Sequence, residues 1–218
     1  MENTLKIVKS TYKDQIIEHI YDLVLDGVYS PGDKIKESLL AKELGVSRAP
    51  VREALKELIA NGIIDYRAQV GNFVADLSPK EIIDAYTTRG VLEGYAVMET
   101  SAAFSRDEIE TLVEMTGKME RYAEKGNRKM VVKIGDDFHN MLISKNKNMQ
   151  LIEYTERLSL KLHVLFYKYW SNLYTPKEIG SRHMEIVSSI ISGNPGKIER
   201  SVREHYTETG TKIASWGD

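Results

Sequence analysis

Cysteine is absent from the 218 residues of this chain. This absence excludes disulfide bonds and metal sites built from thiolates, so a transition-metal site would have to use histidine and carboxylate ligands. It also fits a reducing compartment, and we expect a cytoplasmic protein.

Long hydrophobic runs are missing as well. No window approaches the roughly 18 uninterrupted apolar residues that a membrane span needs. The start of the chain, "MENTLKIVKSTYKD", lacks the basic segment and apolar run of a secretory signal. We therefore expect a protein that is neither secreted by that route nor embedded in a membrane.

An excess of positive charge is also lacking, since 30 lysine and arginine residues face 32 aspartate and glutamate residues, for a net charge of −2. This balance argues against a protein covered by a positive field. If the protein binds nucleic acid, it must do so through a local group of basic residues.

The first 77 residues predict a winged helix-turn-helix domain. Apolar residues recur at helical spacing over 12–25 and 39–44, and a third amphipathic helix follows Ser47, which suits an N-cap. The segment "IIDYRAQVGNFVADL" then predicts two short strands around a loop that contains Gln69 and Gly71. Three helices followed by a hairpin are typical of a winged helix.

Residues 78–218 predict a second, all-helical domain, so the fold class is mainly α. Ser/Thr-x-x-Glu capping boxes begin at Ser78, Ser105 and Thr175, and each marks the start of a helix. The predicted architecture is a winged helix followed by a helical bundle. The linker between the domains, near 76–79, is short, which predicts that the two domains are mechanically coupled. Helical patterns cover roughly 79–102, 106–125, 128–145, 148–172, 176–192 and 195–214.

Two arginines stand out in "GVSRAPVREAL". Arg48 and Arg52 are four residues apart on one helical face, while the apolar residues occupy the other. Arginine on a helix that enters the major groove binds guanine edges or phosphate, and free amides at the helix start favour phosphate too. The alternative is a solvated face on which these arginines pair with Glu43, Glu53 or Glu57.

The segment "PGDKIKESLLAKELGVSRAPVREALKELIANGIIDYRAQVGNFVADLS" resembles the DNA-binding domain of GntR-type bacterial transcription regulators, over roughly residues 10–78. The resemblance implies that recognition-helix residues contact DNA and that Gly71 lets the wing turn, with further minor-groove or phosphate contacts from the wing. The residues so implied are Ser47, Arg48, Ala49, Arg52, Arg67, Gln69, Gly71 and Asn72.

Three histidines of the second domain, His139, His183 and His205, lie on three different predicted helices. Histidines on separate helices converge in some bundles, and neutral imidazole binds zinc or nickel well. The alternative is that each is an ordinary hydrogen-bonded core or surface residue, since none belongs to a self-sufficient local motif. His163 lies among apolar residues at helical spacing. We therefore predict that it packs in the core and does not bind a metal.

Residues of about 79–214 resemble the FCD ligand-binding domain of the FadR subfamily of these regulators. The resemblance implies a buried divalent metal, zinc or else nickel, held by His139, His183 and His205, with water or an effector carboxylate completing its ligands. In the family an Asp or Asn stands four residues before the first histidine, where this chain has Gly135. Asp136, at the i−3 position, is the replacement that we predict.

Arg89 and Glu93 form an i,i+4 pair in "AYTTRGVLEGYAV". Without the resemblance, the pair predicts an ordinary salt bridge. By resemblance to similar regulators, Arg89 faces an effector cavity and binds a carboxylate, which its fork-shaped guanidinium suits. Glu93 is then a structural residue or a support for a ligand.

These features together predict a homodimeric transcription regulator rather than an enzyme, binding a palindromic operator in double-stranded DNA and a small organic acid. Two recognition helices about one DNA turn apart require a dimer. The alternative is a metal-dependent hydrolase with an accessory helix-turn-helix domain, although no motif supplies a general base. The metal itself could be regulatory, structural or the sensed ligand.

Overall fold

The computed structural model of the protein describes residues 11–215, except for the side chains of residues 160, 161, 167, 168, 170 and 171. The chain divides into two compact units between Asp76 and Leu77, one residue before the boundary predicted from the sequence. Within the described residues, no helix is long and apolar enough to cross a membrane.

The first unit is a winged helix. Its three strands form an antiparallel sheet in the order β1-β3-β2, in which Lys34 pairs with Phe73 and Tyr66 pairs with Asn72. The sequence predicted the β2–β3 hairpin but not β1, which is too short to show alternation. The elements are α1 (Tyr12–Leu25), β1 (Lys34–Ile35), α2 (Glu37–Glu43), α3 (Arg48–Ala60), β2 (Ile64–Arg67) and β3 (Gly71–Val74).

The second unit is all-helical in its described part, so the predicted fold class is confirmed. The capping boxes at Ser78, Ser105 and Thr175 are formed, each with its hydroxyl accepting from the glutamate amide. Each box satisfies free donors at the start of a long helix. The helices are α4 (Pro79–Thr100), α5 (Arg106–Glu124), α6 (Arg128–Ile143), α7 (Met149–Leu173), α8 (Pro176–Ser192) and α9 (Pro195–Ala214), with a 3₁₀ turn at Ser101–Ala103.

Helices α4 and α9 pack with their backbones close together, because glycines lie where they meet. A Cβ atom added to Gly94 would lie 2.9 Å from the carbonyl oxygen of Glu199, and one added to Gly210 would lie 2.5 Å from Cβ of Tyr86. Real Cβ contacts are essentially never this short, so larger residues do not fit without a shift. This close packing fixes Arg89 and Glu93 of α4 beside the residues of α9.

Candidate functional site

The exposed face of α3 carries the arginines that the sequence singled out. Val51, Ala54, Leu55 and Leu58 are buried, whereas Arg48, Ala49 and Arg52 are exposed on the other side. Ser47 occupies the N-cap, but its side chain makes no capping hydrogen bond. The first amides of α3 therefore stay available at the positive end of the helix dipole, which suits a phosphate.

The two arginines differ in their partners. Nη2 of Arg52 lies 3.5 Å from Oε2 of Glu37, a long contact between partly exposed groups that contributes little. Arg48 makes no ion pair with any residue that the structure describes. The carboxylates of the alternative interpretation have other neighbours: Lys56 pairs with Glu53, Lys13 pairs with Glu57, and His19 approaches Glu43.

The wing presents Arg67 and Gln69 to solvent at the end of the β2–β3 hairpin. Gln69 has a φ of +60° and Gly71 has a φ of +125°, so the turn depends on left-handed backbone conformations that glycine adopts most easily. Arg67 stacks over the ring of Phe73 at 4.3 Å. Asn72, in contrast, is buried, and its Nδ2 points to Glu37 at 3.5 Å, so its side chain is not presented to a ligand.

In the second unit, the three histidines meet inside the helical bundle. His139 comes from α6, His183 from α8 and His205 from α9, and one ring nitrogen of each lies within 4.8 Å of the other two. His139 and His183 are buried, and His205 is half-buried. Among the described residues, Asp136 does not belong to this group.

Hydrogen bonds fix the tautomers of two of these rings. Nδ1 of His183 lies 2.7 Å from the carbonyl oxygen of Ile179, and since a carbonyl only accepts, Nδ1 carries the proton. Nδ1 of His139 lies 2.5 Å from Oε1 of Glu93 and donates in the same way to the carboxylate. Both rings therefore keep the Nε2 lone pair for another partner, as metal-binding histidines do.

The protonation of the cluster also suits a metal. Burial is the main cause that lowers the pKa of His183 to about 3. Burial likewise lowers the pKa of His205 well below 6.5. Nδ1 of His205 is buried without a hydrogen-bond partner among the described residues. Neutral imidazoles, one with an unsatisfied nitrogen, fit a divalent transition metal.

Glu93, which the sequence analysis left as a structural residue or a support for a ligand, contacts three side chains of this site. Its side chain is fully buried, and it accepts hydrogen bonds from His139, from the hydroxyl of Tyr206 at 2.9 Å and from Nε of Arg89 at 3.3 Å. Burial acts to raise the pKa of Glu93, but His139 and Arg89 outweigh it and lower this pKa. Its only signal in the sequence was the i,i+4 spacing from Arg89, which common surface pairs share.

Arg89 lies beside the histidines on the wall of a cavity of about 70 Å³. It is 1% exposed, it stacks over Tyr206 at 4.9 Å, and its Nη2 is buried without a partner among the described residues. An unpaired buried donor of this kind is costly unless another group satisfies it. Apolar residues, among them Val131 and Phe166, also line the cavity.

Asp136 and His163 also line this cavity, at a distance of 3.4 Å between Oδ1 and Nε2. The sequence predicted Asp136 as a metal ligand and His163 as a core residue. The structure brings their side chains together, a contact that the sequence did not predict. Gly135, one turn before His139, lines the cavity as well.

Comparison with known families follows this division of the chain. Residues 12–74 match the model of the bacterial regulatory proteins of the gntR family, and residues 84–208 match the FCD domain. The predicted resemblance is therefore confirmed for both units.

Similar proteins support the same assignment. A probable D-xylose utilization operon transcriptional repressor of Paenarthrobacter nicotinovorans is 25% identical over 92% of this chain and 88% of its own. The Nta operon transcriptional regulator of Aminobacter aminovorans is 28% identical over 73% of this chain and 74% of its own. In fold, the structure of E. coli McbR/YncC matches 96% of this chain and all of its own with a TM-score of 0.79, at 17% identity.

These families and relatives are transcription regulators, which confirms the prediction of a regulator rather than an enzyme. The chain belongs to the gntR family of bacterial regulatory proteins, with an FCD domain as its second unit.

Proposed function

We propose that this regulator binds a palindromic operator as a homodimer, and that a small carboxylate effector and a divalent metal control its affinity for DNA. The observation that carries the proposal is the meeting of three histidines beside a buried arginine that has an unpaired Nη2. Two relatives are named for operons, and we propose that this chain likewise controls an operon, in the cytoplasm where that DNA lies.

In this proposal, Arg48 and Arg52 contact base edges or phosphates in the major groove, and Ser47 and Ala49 flank them at the start of α3. The exposed position of both arginines and the free helix start support this role. Arg67 and Gln69 on the wing contact the minor groove or phosphates, and Gly71 permits the turn that presents them. Dimerisation follows from operator geometry, since two recognition helices must lie about one DNA turn apart.

The metal in this proposal is held by His139, His183 and His205, with zinc the first candidate and nickel the alternative. The neutral rings, their fixed tautomers and the unsatisfied nitrogen of His205 support this assignment. A bound divalent ion supplies a positive centre that attracts an anionic ligand. Arg89 supplies two-pronged hydrogen bonding to a carboxylate in the same cavity.

Binding of the effector must favour one arrangement of the dimer over the other if it is to control DNA affinity. A coupling of about 1–3 kcal/mol between effector and DNA gives useful regulation. Arg89 contacts Glu93, and Glu93 contacts His139. An effector carboxylate bound to Arg89 and a metal bound to His139 would therefore both act on the buried carboxylate of Glu93.

The test is selection of binding sites from random duplexes at physiological salt, beside the Arg48→Ala, Arg52→Ala double variant. We expect an enriched palindrome that the double variant does not bind. The selected duplex is then titrated with and without a chelator and with small acids. Loss of helical structure on chelation would mark a structural ion, whereas an intact fold with altered DNA affinity marks a regulatory one.

A further inference from the structure

A thin wall separates the histidine cavity from a groove in the second unit. The groove is polar, has a volume of about 260 Å³ and lies along α8 and α9. Two residues, Arg182 and His205, line both the groove and the cavity. The wall between the two spaces is therefore a single layer of side chains, and one of the three clustered histidines belongs to it.

Arg182 closes this wall through contacts with α9. Its Nη1 forms an ion pair with Glu208, and its Nη2 donates to the carbonyl oxygen of His205 at 2.8 Å. Nη2 also lies 3.4 Å from Oγ1 of Thr209, and the guanidinium stacks over the ring of Tyr174 at 4.4 Å. Arg182 thus ties α8 to α9 beside two of the histidines.

The contacts of Arg182 can open while α9 stays folded. The side chain of Glu208 is 57% exposed, and an ion pair with an exposed partner is weak. The carbonyl oxygen of His205 also accepts from the hydroxyl of Thr209 at 2.9 Å, so it keeps a partner when the guanidinium leaves. The long arginine side chain has the groove beside it as room to move into.

The groove suits the passage of a hydrated cation. Its charges apart from Arg182 are mixed, since carboxylates of Glu185, Glu204 and Glu208 accompany Lys197 and Arg200. Burial is the main cause of the low pKa values of His183 and His205, and the charge of Arg182 lowers both further. A guanidinium this close also repels an incoming metal ion. When Arg182 moves aside, a steric and an electrostatic obstacle are removed together.

We propose that Arg182 is a gate between the groove and the histidine cavity, and that its opening sets the rate at which the divalent metal enters and leaves. The inference rests on the proposed metal site and adds the route to it. An opening step slows entry and release by the same factor, so it leaves the affinity unchanged. A residue that only positioned His205 would instead change the affinity, through release alone.

The experiment is stopped-flow measurement of zinc exchange with the full-length protein. Release is followed by transfer of zinc to a coloured chelator, at concentrations where the rate no longer depends on the chelator. Uptake by the metal-free protein is followed by competition with the same chelator. We expect Arg182→Met to speed release and uptake alike, by about 10-fold or more, because charge-assisted hydrogen bonds no longer have to break. The change in Kd should be much smaller.

Lys212→Met is the matched control. Nζ of Lys212 also lies over the ring of Tyr174, at 4.0 Å, but Lys212 lines neither the cavity nor the groove. Zinc exchange in this variant should keep its normal rates.

Glu208→Gln tests the ion pair while Arg182 stays in place. Release should be faster than in the unaltered protein, but by less than in Arg182→Met. Salt screens exposed ion pairs, so release from the unaltered protein should become faster as salt rises, and this dependence should be lost in Glu208→Gln.

Unchanged rates in Arg182→Met would overturn the inference and indicate entry past Asp136, which lines the cavity and has a side chain that is 36% exposed. Faster release with an equal loss of affinity would overturn it too, because Arg182 would then only position His205. The metal site itself is read separately: zinc binding that His183→Gln abolishes supports it whatever Arg182 does. If the unaltered protein binds no zinc at micromolar concentration, the metal site and the inference both fail.

Discussion

Oε1 of Glu93 lies 2.5 Å from Nδ1 of His139, although 46 positions separate the two residues in the chain. The carboxylate fixes the imidazole tautomer, so that Nε2 keeps its lone pair for another partner. It also joins the histidine cluster to Arg89, through the contact of 3.3 Å between Nε of Arg89 and Oε2 of Glu93. The predictions for the cavity follow from this shared carboxylate.

Glu93→Gln should weaken metal binding by about 10–100-fold, the usual effect of removing a carboxylate that supports a histidine ligand. The amide keeps the shape of the side chain but loses the negative charge that strengthens the Nδ1–H bond. Competition with a coloured chelator measures the affinity. Glu99→Gln, at an exposed position of the same helix, is the control and should bind metal normally, and equal affinities for the two variants would contradict the role of Glu93.

Arg89→Met should lower the free energy of unfolding by about 3–5 kcal/mol, because it leaves the carboxylate of Glu93 buried with one partner fewer. Adding Glu93→Gln should then recover part of this loss, since no buried charge remains to be compensated. Urea unfolding of the metal-free protein measures both effects. Losses that simply add in the double variant would show that the two side chains do not interact.

Arg48→Ala should weaken binding to the selected operator by about 1–3 kcal/mol and relax specificity at one position, if Arg48 contacts a base. A contact to phosphate would instead weaken all sequences alike and reduce the dependence on salt. Lys56→Ala is a control on the same helix, because Lys56 is exposed and already pairs with Glu53 at 2.9 Å. If Arg48→Ala leaves operator binding unchanged, the alternative interpretation holds, in which Arg48 is an ordinary solvated residue.

Acidification should destabilise the metal-free protein. The pKa of His183 is about 3 in the folded protein and about 6.5 in an unfolded chain, so the unfolded state takes up the proton first. The stability that neutral His183 contributes is therefore complete above pH 6.5 and is lost as the pH falls towards 3, by about 2 kcal/mol between pH 6.5 and pH 5. His205, whose pKa burial also lowers, acts in the same direction.

Chemical unfolding at a series of pH values measures this loss. In His183→Gln the dependence on pH should be shallower, because one of the buried groups that titrate has gone. An unchanged slope would mean that His183 is not held neutral in the fold.

Gly94→Ala should destabilise the second unit by about 1–3 kcal/mol, because the new methyl group would lie 2.9 Å from a carbonyl oxygen of α9. Gly117→Ala is the matched control, since its nearest contact is Nη1 of the flexible Arg121 side chain at 3.3 Å. In the middle of α5, this change should leave stability unchanged or raise it by up to about 1 kcal/mol. Thermal unfolding measures the stability of both variants. Equal changes in stability would show that the α4–α9 contact accommodates the added methyl group.

The sequence predicted most helix boundaries because their signals are local. The box at Thr175, for instance, contains the hydroxyl, the proline and the glutamate that together start α8. The contact between Glu93 and His139 has no such local signal, since it joins two helices only after the bundle has packed. The same holds for the contact of Asp136 with His163, which lies on the next helix. The prediction that Asp136 is a metal ligand came from the family resemblance together with its spacing from His139.

The close contact of α4 with α9 limits how the two helices can move relative to each other. Gly94 and Gly210 leave no side chain of their own between the helices at these points, so a displacement of one helix towards the other would meet atoms of that helix directly. Arg89 and Glu93 belong to α4, and His205 belongs to α9. The packing of these two helices therefore sets the spacing between the cavity residues that each of them carries.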